Sequence, residues 1–314
     1  PAEHLVFQEW NKGHQIHLES VGLIAQKPGI SLEAIKRCGG LPATYRNQYQ
    51  VVALPVYGPE LLDQPPVGWC LYNRTGGPLP IYKPGGEIEW KKIKLTKGSK
   101  PGLIGQVAAF VAARSVPAVE NASDDPNAEN PNEPTIWKCE GPSDVLAGMT
   151  AAITQDAMLA DGVINDTAPA APHHIFITNA NGCGEKPQPW MLSILAGRRV
   201  NTIHDADKPG QDGAARWSTA IASTAFESRN VKLPYPIVPD HGPDLRDYFA
   251  RDNHTLADLI DLADAASLVE SAEASKAAAS SNKPEIMVDT DEHRVAKEAI
   301  DALTKDATIF QRSG

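Results

Sequence analysis

Cysteine is scarce in this sequence of 314 residues: Cys38, Cys70, Cys139 and Cys183 stand far apart. That spacing excludes a paired-thiol redox motif and a tandem zinc ribbon, and leaves reduced thiols in core or loop positions. Positive charge is also in short supply. Lysine and arginine number 29 against 39 acids, a formal charge of −10, which excludes a protein that coats nucleic acid through general basicity. It leaves room for one basic groove beside an acidic metal site. No apolar run approaches the roughly 18 residues of a membrane span, and Pro1-Ala2-Glu3-His4 lacks the basic and apolar regions of a secretory signal. The expectation is a cytoplasmic enzyme without membrane association. His4, His14 and His17 have no thiol or carboxylate at ligand spacing and read as surface residues.

The length and apolar content suffice for two compact units with connecting segments. Residues 1–116 read as a small α+β subdomain. Ser31 caps a short amphipathic helix through Arg37, stopped by Gly39-Gly40. Short β-rich runs follow, Gln50 to Tyr57 and Val67 to Tyr72, separated by proline and glycine turns. Residues 117–134 are acidic, rich in asparagine and proline, and read as a loop. Over 135–265 the rhythm becomes alternating strand and helix, as in a parallel sheet with crossover helices. The expected strands are Thr135 to Cys139, His174 to Thr178, Val200 to His204 and Asn230 to Val238, the last interrupted by Pro234 and Pro236. The expected helices are Ser143 to Leu159, Trp190 to Ala196, Gly213 to Phe226, Asp244 to Ala250 and Leu256 to Ala265. Residues 266–285 form an alanine- and serine-rich linker, and 286–314 read as the start of a further domain. With proline at position 1 and an apolar pair near its end, the sequence reads as a piece of something longer.

The chemistry gathers in the alternating region. Glu140 follows the apolar strand Ile136 to Cys139, and Gly141-Pro142 turns the chain into a helix holding Asp144. Asp205-Ala206-Asp207 likewise follows Val200 to His204 and precedes a turn, Lys208 to Gly213. Ligands of open parallel sheets gather outside the carboxyl ends of strands, so both acidic positions converge there. Period-two alternation would aim Asp205 and Asp207 the same way if the strand extends that far. Clustered carboxylates repel one another unless a cation neutralises them, and hard oxygen ligands select Mg²⁺ or Mn²⁺. Such an ion serves phosphoryl transfer. Taken singly, each acid also reads as an ordinary helix entry or solvated turn, and Asp144 reads either as a further ligand or as a first-turn acid favouring the helix dipole.

Glu140-Gly141-Pro142-Ser143-Asp144 and Asp205-Ala206-Asp207, with the glycines and alanines after it, resemble the two motifs of the Toprim family of primases, topoisomerases and nucleases. Asn179 to Gly182 sits where that family carries its intervening strand-end loop. The resemblance covers about Thr135 to Ala250. It implies a Rossmann-like parallel sheet, preceded here by a small primase-like α+β subdomain, with Glu140, Asp205 and Asp207 as catalytic, metal-holding acids. Pro243 to Phe249 resembles a further segment of replicative primases, which makes Asp244 a catalytic candidate as well as a helix cap. Gln50 to Gly105 resembles the amino-terminal half of a primase polymerase core. Lys92, Lys94, Lys97 and Lys100, flanked by Trp90, suit nucleic-acid phosphates, with a solvated lysine-rich hairpin as the plain alternative.

The resemblance implies a DNA primase, a nucleotidyltransferase making short RNA primers on single-stranded DNA from ribonucleoside triphosphates, with a replicative helicase as partner in cis or in trans. A Toprim nuclease is one rival. A non-catalytic single-strand-binding module of a mobile element is the other. The zinc ribbon common in primases and the Gly-x-x-x-x-Gly-Lys-[Ser/Thr] of a fused helicase are both missing from this stretch.

Overall fold

The computed structural model describes residues 4–83, 85–115, 134–160 and 174–271. By its contacts the chain divides into residues 1–269 and 270–314, and every strand and helix among the described residues lies in the first. The linker and further domain expected after residue 265, and the loop expected over 117–134, fall almost wholly outside the described residues.

The chain opens with β1 (Leu5–Phe7) and three short helices, α1 (Lys12–Ser20), α2 (Leu23–Gln26) and α3 (Leu32–Arg37). Asn11 and Ser31 cap α1 and α3 by accepting from backbone N–H groups within the first turn. Strands β2 (Leu41–Tyr45), β3 (Tyr49–Val56), β4 (Gly68–Asn73) and β7 (Lys94–Leu95) join β1 in an antiparallel sheet of order β1-β2-β3-β4-β7. Between β4 and β7 lies a separate hairpin, β5 (Leu79–Tyr82) and β6 (Ile88–Lys91).

The second sheet has the order β12-β11-β9-β10-β8. Its parallel strands are β9 (Thr135–Cys139), β10 (His174–Asn179), β11 (Arg199–Ile203) and β12 (Glu227–Val231), and β8 (Leu103–Gly105) closes the β10 edge antiparallel. The helices are α4 (Val107–Ser115), α5 (Pro142–Ala160), α6 (Pro189–Leu195), α7 (Lys208–Ile221), α8 (Leu245–Ala250) and α9 (Leu256–Asp264). The α/β class and parallel sheet expected from the sequence are present, with three adjustments. Strand β12 ends before Pro234, so the prolines lie beyond the ladder rather than within it. Helix α7 begins at Lys208 instead of Gly213, because Pro209 falls in the first turn, where its missing N–H costs nothing, and Asp207 supplies the cap. Strand β8, which precedes the alternating region in sequence, belongs to its sheet.

Burial follows from alternation along the strands. Trp137 and Cys139 of β9 and Phe176 of β10 face a core shared with Val145 and Met149 of α5, Tyr248 of α8, Leu259 of α9, and Leu54 and Tyr72 of the antiparallel sheet. Ile136, Ile175 and Val200 face the opposite core, with Phe110, Met191, Leu195 and Trp217 of α4, α6 and α7. One continuous core therefore joins the two sheets. A backbone bridge reinforces it: Tyr57 N–H donates to Leu103 O at 2.8 Å and Leu103 N–H to Tyr57 O at 2.9 Å.

Candidate functional site

The connection leaving β9 through α5 leads to β10 on one side, whereas that leaving β11 through α7 leads to β12 on the other. The carboxyl ends of β9 and β11 therefore flank the topological switch point, where open α/β sheets form a crevice. A cleft of about 550 Å³ opens there, and its lining includes Glu140, Asp144, Asp205 and Asp244 together with Lys91 of the β5–β6 hairpin and Lys94 of the antiparallel sheet. The four acids come from the end of β9, the first turn of α5, the end of β11 and the start of α8.

Their hydrogen bonds divide them into two kinds. Asp244 accepts from Asp247 N–H at 2.7 Å through Oδ1, capping α8 in a capping box, and takes a guanidinium contact from Arg246 at 3.4 Å. Asp144 is buried; its Oδ2 accepts from Gly141 N–H at 3.0 Å, while its Oδ1 is buried without a hydrogen-bond partner. Glu140 Oε2 accepts from Asp205 N–H at 3.2 Å. The Asp205 carboxylate accepts no hydrogen bond from the described residues. Burial, reinforced by Asp144, Glu140 and Asp244, pushes its pKa up to about 10. Burial also raises Glu140, and burial with the Asp244 charge raises Asp144 well above the ordinary carboxylate range.

Asp207 has a different duty. The alternation that would aim it like Asp205 stops with β11 at Ile203. Asp207 Oδ1 accepts from Gly210 N–H at 2.8 Å and Oδ2 from Gly242 N–H at 3.1 Å, so both oxygens serve the start of α7 and the segment lying over it. It is buried and is not among the residues lining the cleft. Two glycines make this packing possible: a Cβ on Gly210 would lie 2.6 Å from Asp205 O, and one on Gly242 2.3 Å from Ala206 O.

Beneath the acids lies a buried cation that the apolar look of β9 conceals. Lys138 Nζ donates to Cys139 O at 2.7 Å, sits 3.0 Å from His204 Nε2 and stands 4.5 Å from the centre of the Trp217 ring. Burial lowers its pKa to about 8. His204 Nδ1 lies 3.1 Å from Gly210 O, a partner that can only accept, so Nδ1 donates and Nε2 accepts from the ammonium. Burial and the Lys138 charge hold this imidazole neutral, well below its ordinary range. The signal in the sequence is a lysine within a run of otherwise apolar strand residues. Cys183 adds a thiol near Glu140, and burial with that neighbour's charge pushes it up to about 11.

The expected lysines do not share one environment. Lys92, Lys97 and Lys100 are exposed, whereas Lys94 is buried on β7, with Nζ 3.2 Å from Leu95 O and 4.8 Å from the Tyr45 ring centre. Lys94 therefore lines the cleft wall instead of projecting from a solvated hairpin.

Among the described residues no three His, Cys, Asp or Glu side chains already close around one point as an ion's ligands would. The donor set nevertheless fits a hard cation. It offers carboxylate oxygens only, one of them buried and unpartnered on Asp144, and the mutual repulsion at Asp205 is what a divalent charge would relieve.

The molecule is thus an α/β protein with an acidic cleft at its sheet's switch point, walled on one side by a second, antiparallel sheet. No family model and no curated protein matches it in sequence. Among solved structures, the zinc-binding and RNA polymerase domains of Aquifex aeolicus primase are similar at a TM-score of 0.42 and 15% identity, over 84% of this chain and 53% of that one. This chain thus spans about half the length of that structure. A chain of the bacteriophage T7 complex of lagging-strand DNA polymerase with primase domains, bound to an RNA/DNA hybrid and dTTP, is similar at a TM-score of 0.37 and 13% identity, over 83% of this chain and 82% of that one. Scores this low leave the function to be read from the site itself.

Proposed function

We propose that this chain is a Toprim-type DNA primase core, a divalent-metal-dependent nucleotidyltransferase that joins ribonucleotides on a single-stranded DNA template. The observation that carries the reading is the convergence of Glu140, Asp144, Asp205 and Asp244 on one cleft whose facing wall brings Lys91 and Lys94. An acidic floor opposite a cationic wall suits a substrate that is anionic along its length and needs charge stabilised at one phosphorus.

Glu140, Asp144 and Asp205, with Asp244 beside them, are the residues that would hold Mg²⁺ or Mn²⁺; a bound ion supplies charge neutralisation and polarises a phosphoryl oxygen. The chain's own residues set the rest. Lys91 and Lys94 offer cationic contacts to the triphosphate of the incoming nucleotide. The Ala180 to Gly182 loop, which also lines the cleft, bounds the space in which the primer's 3′ hydroxyl meets the α-phosphorus. The new P–O bond forms as the bond from the α-phosphorus to pyrophosphate breaks and the hydroxyl proton passes to solvent, so the work of the site is positioning and charge stabilisation. Asp207, as the cap of α7, acts as a positioning residue by fixing the turn that presents Asp205.

The test is incubation with single-stranded DNA, labelled ribonucleotides and Mg²⁺, comparing wild type with Glu140→Gln and Asp205→Asn. Short oligoribonucleotides made by wild type alone support the reading. Shortening of the template would replace it with a nuclease, and template binding without any reaction would replace it with a binding module.

A further inference from the structure

We infer that the β5–β6 hairpin carries a base-stacking platform for unpaired polynucleotide, centred on Trp90 and Tyr82, on the face of the hairpin opposite the one that lines the cleft. The inference rests on the reading of the cleft as a polynucleotide site and assigns the path by which the strand reaches it.

The register of the hairpin separates its two faces. Leu79 pairs with Lys91 and Ile81 with Glu89, whereas Pro80 pairs with Trp90 and Tyr82 with Ile88. Directly opposed residues of an antiparallel pair share a face, so Leu79, Ile81, Glu89 and Lys91 form one side and Pro80, Tyr82, Ile88 and Trp90 the other. The first side belongs to the molecule: Leu79 is buried in a core with Ala53 and Leu71, and Ile81 and Lys91 line the cleft. On the second side Pro80 is buried at one end, while Trp90 is 59% exposed, Tyr82 45% and Ile88 44%. Three large apolar side chains on one face of a two-stranded ribbon amount to a surface shaped for an apolar, flat partner.

Charge decides which partner. Residues 79–100 carry six lysines and two glutamates, a local +4 in a chain of net −10. Arg46 stands 4.8 Å from the centre of the Tyr82 ring, and the Tyr82 hydroxyl lies 3.3 Å from that of Tyr49, so cation and aromatics form one patch. Lys83 and Lys91, exposed on this ribbon, each stand within 4 Å of Glu89, and Lys92 is exposed just after it. Aromatic faces interleaved with cations match a single strand, whose bases stack while its phosphates pair with lysine and arginine; a duplex hides its bases, and a purely apolar protein partner has no use for the charge. A strand stacked on Trp90 has only to turn the edge of the hairpin past Lys91 to enter the cleft.

The experiment measures binding of a fluorescein-labelled single-stranded oligodeoxynucleotide by anisotropy, in EDTA and without nucleotides, so that it is independent of synthesis. Trp90→Ala and Tyr82→Ala are each expected to raise Kd about 10-fold, and Trp90→Phe to retain most of the affinity. Thermal melting of Trp90→Ala should match wild type, since that side chain is largely exposed, whereas Tyr82→Ala also removes the contacts with Arg46 and Tyr49 and should melt slightly lower. A Kd unchanged within twofold in the Trp90→Ala/Tyr82→Ala double variant overturns the inference even if wild type makes primers. So does sedimentation showing a wild-type dimer that the double variant loses without any change in Kd, which would assign the face to a second copy of the chain. The expected loss of affinity in a protein that makes no RNA upholds the platform while removing the primase reading.

Discussion

The two walls of the cleft are built on opposite terms. The parallel sheet delivers its acids buried or half-buried, fixed at strand ends and helix starts, with Asp144 Oδ1 unpartnered and Asp205 in a field of like charge. The antiparallel sheet and its hairpin deliver most of their lysines exposed, on short strands and turns. Burying carboxylates without partners costs stability that an exposed lysine never risks, so the acidic side is the one preorganised around a ligand. The basic side is suited to attracting and steering a polyanion, an effect that salt weakens. Chemistry and recognition should therefore be separable by mutation.

The largest expected effect tests that separation. Glu140→Gln and Asp205→Asn should each lower primer synthesis by on the order of 10²- to 10³-fold while leaving affinity for single-stranded DNA within about twofold. The triple change Lys92→Ala/Lys97→Ala/Lys100→Ala should do the reverse, weakening affinity while leaving the rate at saturating template near that of wild type. Steady-state kinetics with a parallel anisotropy titration checks both. A triple lysine variant with lost turnover at saturation would break the comparison.

Next in size is the pH response of the metal-free protein. In the folded state the Asp205 carboxyl is raised to about 10 by burial and by Asp144, Glu140 and Asp244, against about 3.9 for an unfolded aspartate. Below that lower value both states hold the proton and the site costs nothing. As pH rises, the unfolded state ionises first, so stability falls steadily until the folded pKa is passed. The melting temperature of EDTA-treated wild type should accordingly fall between pH 5 and 9 more steeply than that of Asp205→Asn. Mg²⁺ should restore wild type at pH 8 and do less for the variant. Equal slopes in the two proteins would mean that Asp205 is not where the acidic side stores its cost.

Asp207 sharpens the contrast from within one motif. Asp207→Ala removes the acceptors for Gly210 and Gly242 N–H and should cost about 1–2 kcal/mol in urea unfolding, with or without metal. Asp207→Asn keeps one acceptor and should lose less. A destabilisation by Asp207→Ala that appears only when Mg²⁺ is present would move Asp207 from the capping role to the ligand set.

Much of this site was legible from residue order. The strands β9, β10 and β11 announce themselves as short apolar runs, and the rule that ligands gather at strand ends places Glu140 and Asp205 together across 65 residues. Asp244 was legible as an acid of the same site through the resemblance, and Asp144 as either a ligand or a first-turn acid; both line the one cleft. Sequence could not separate Asp205 from Asp207, because that depends on where β11 stops and on Gly242 closing over Ala206. It also treated Lys208 to Gly213 as a turn, since proline and glycine signal one; here the proline sits where a helix tolerates it and Gly210 is needed for close packing against Asp205. Lys138 shows in the sequence only as a lysine within an apolar strand, and its pairing with His204 inside the core leaves no periodic trace. The two-faced hairpin emerges only once its register is known.

The smallest effects concern single lysines, and they divide by burial. Replacing Lys97 or Lys100, both exposed, should weaken single-strand binding a few-fold at low salt. Each should make the salt dependence of log K shallower by about 0.7 if the lysine contacts one phosphate, with no change in melting temperature. Lys94→Ala should behave differently. Its ammonium is buried, donates to Leu95 O and lies against the Tyr45 ring, so its removal leaves a gap and an acceptor without its donor, and lowers stability as well as affinity. Lys94→Arg keeps the charge but not the fit and should recover affinity more than stability. If Lys94→Ala altered only the salt slope, as the exposed lysines should, the basic wall would be a uniform electrostatic surface, and the distinction between a built contact at the cleft and a steering field around it would fall.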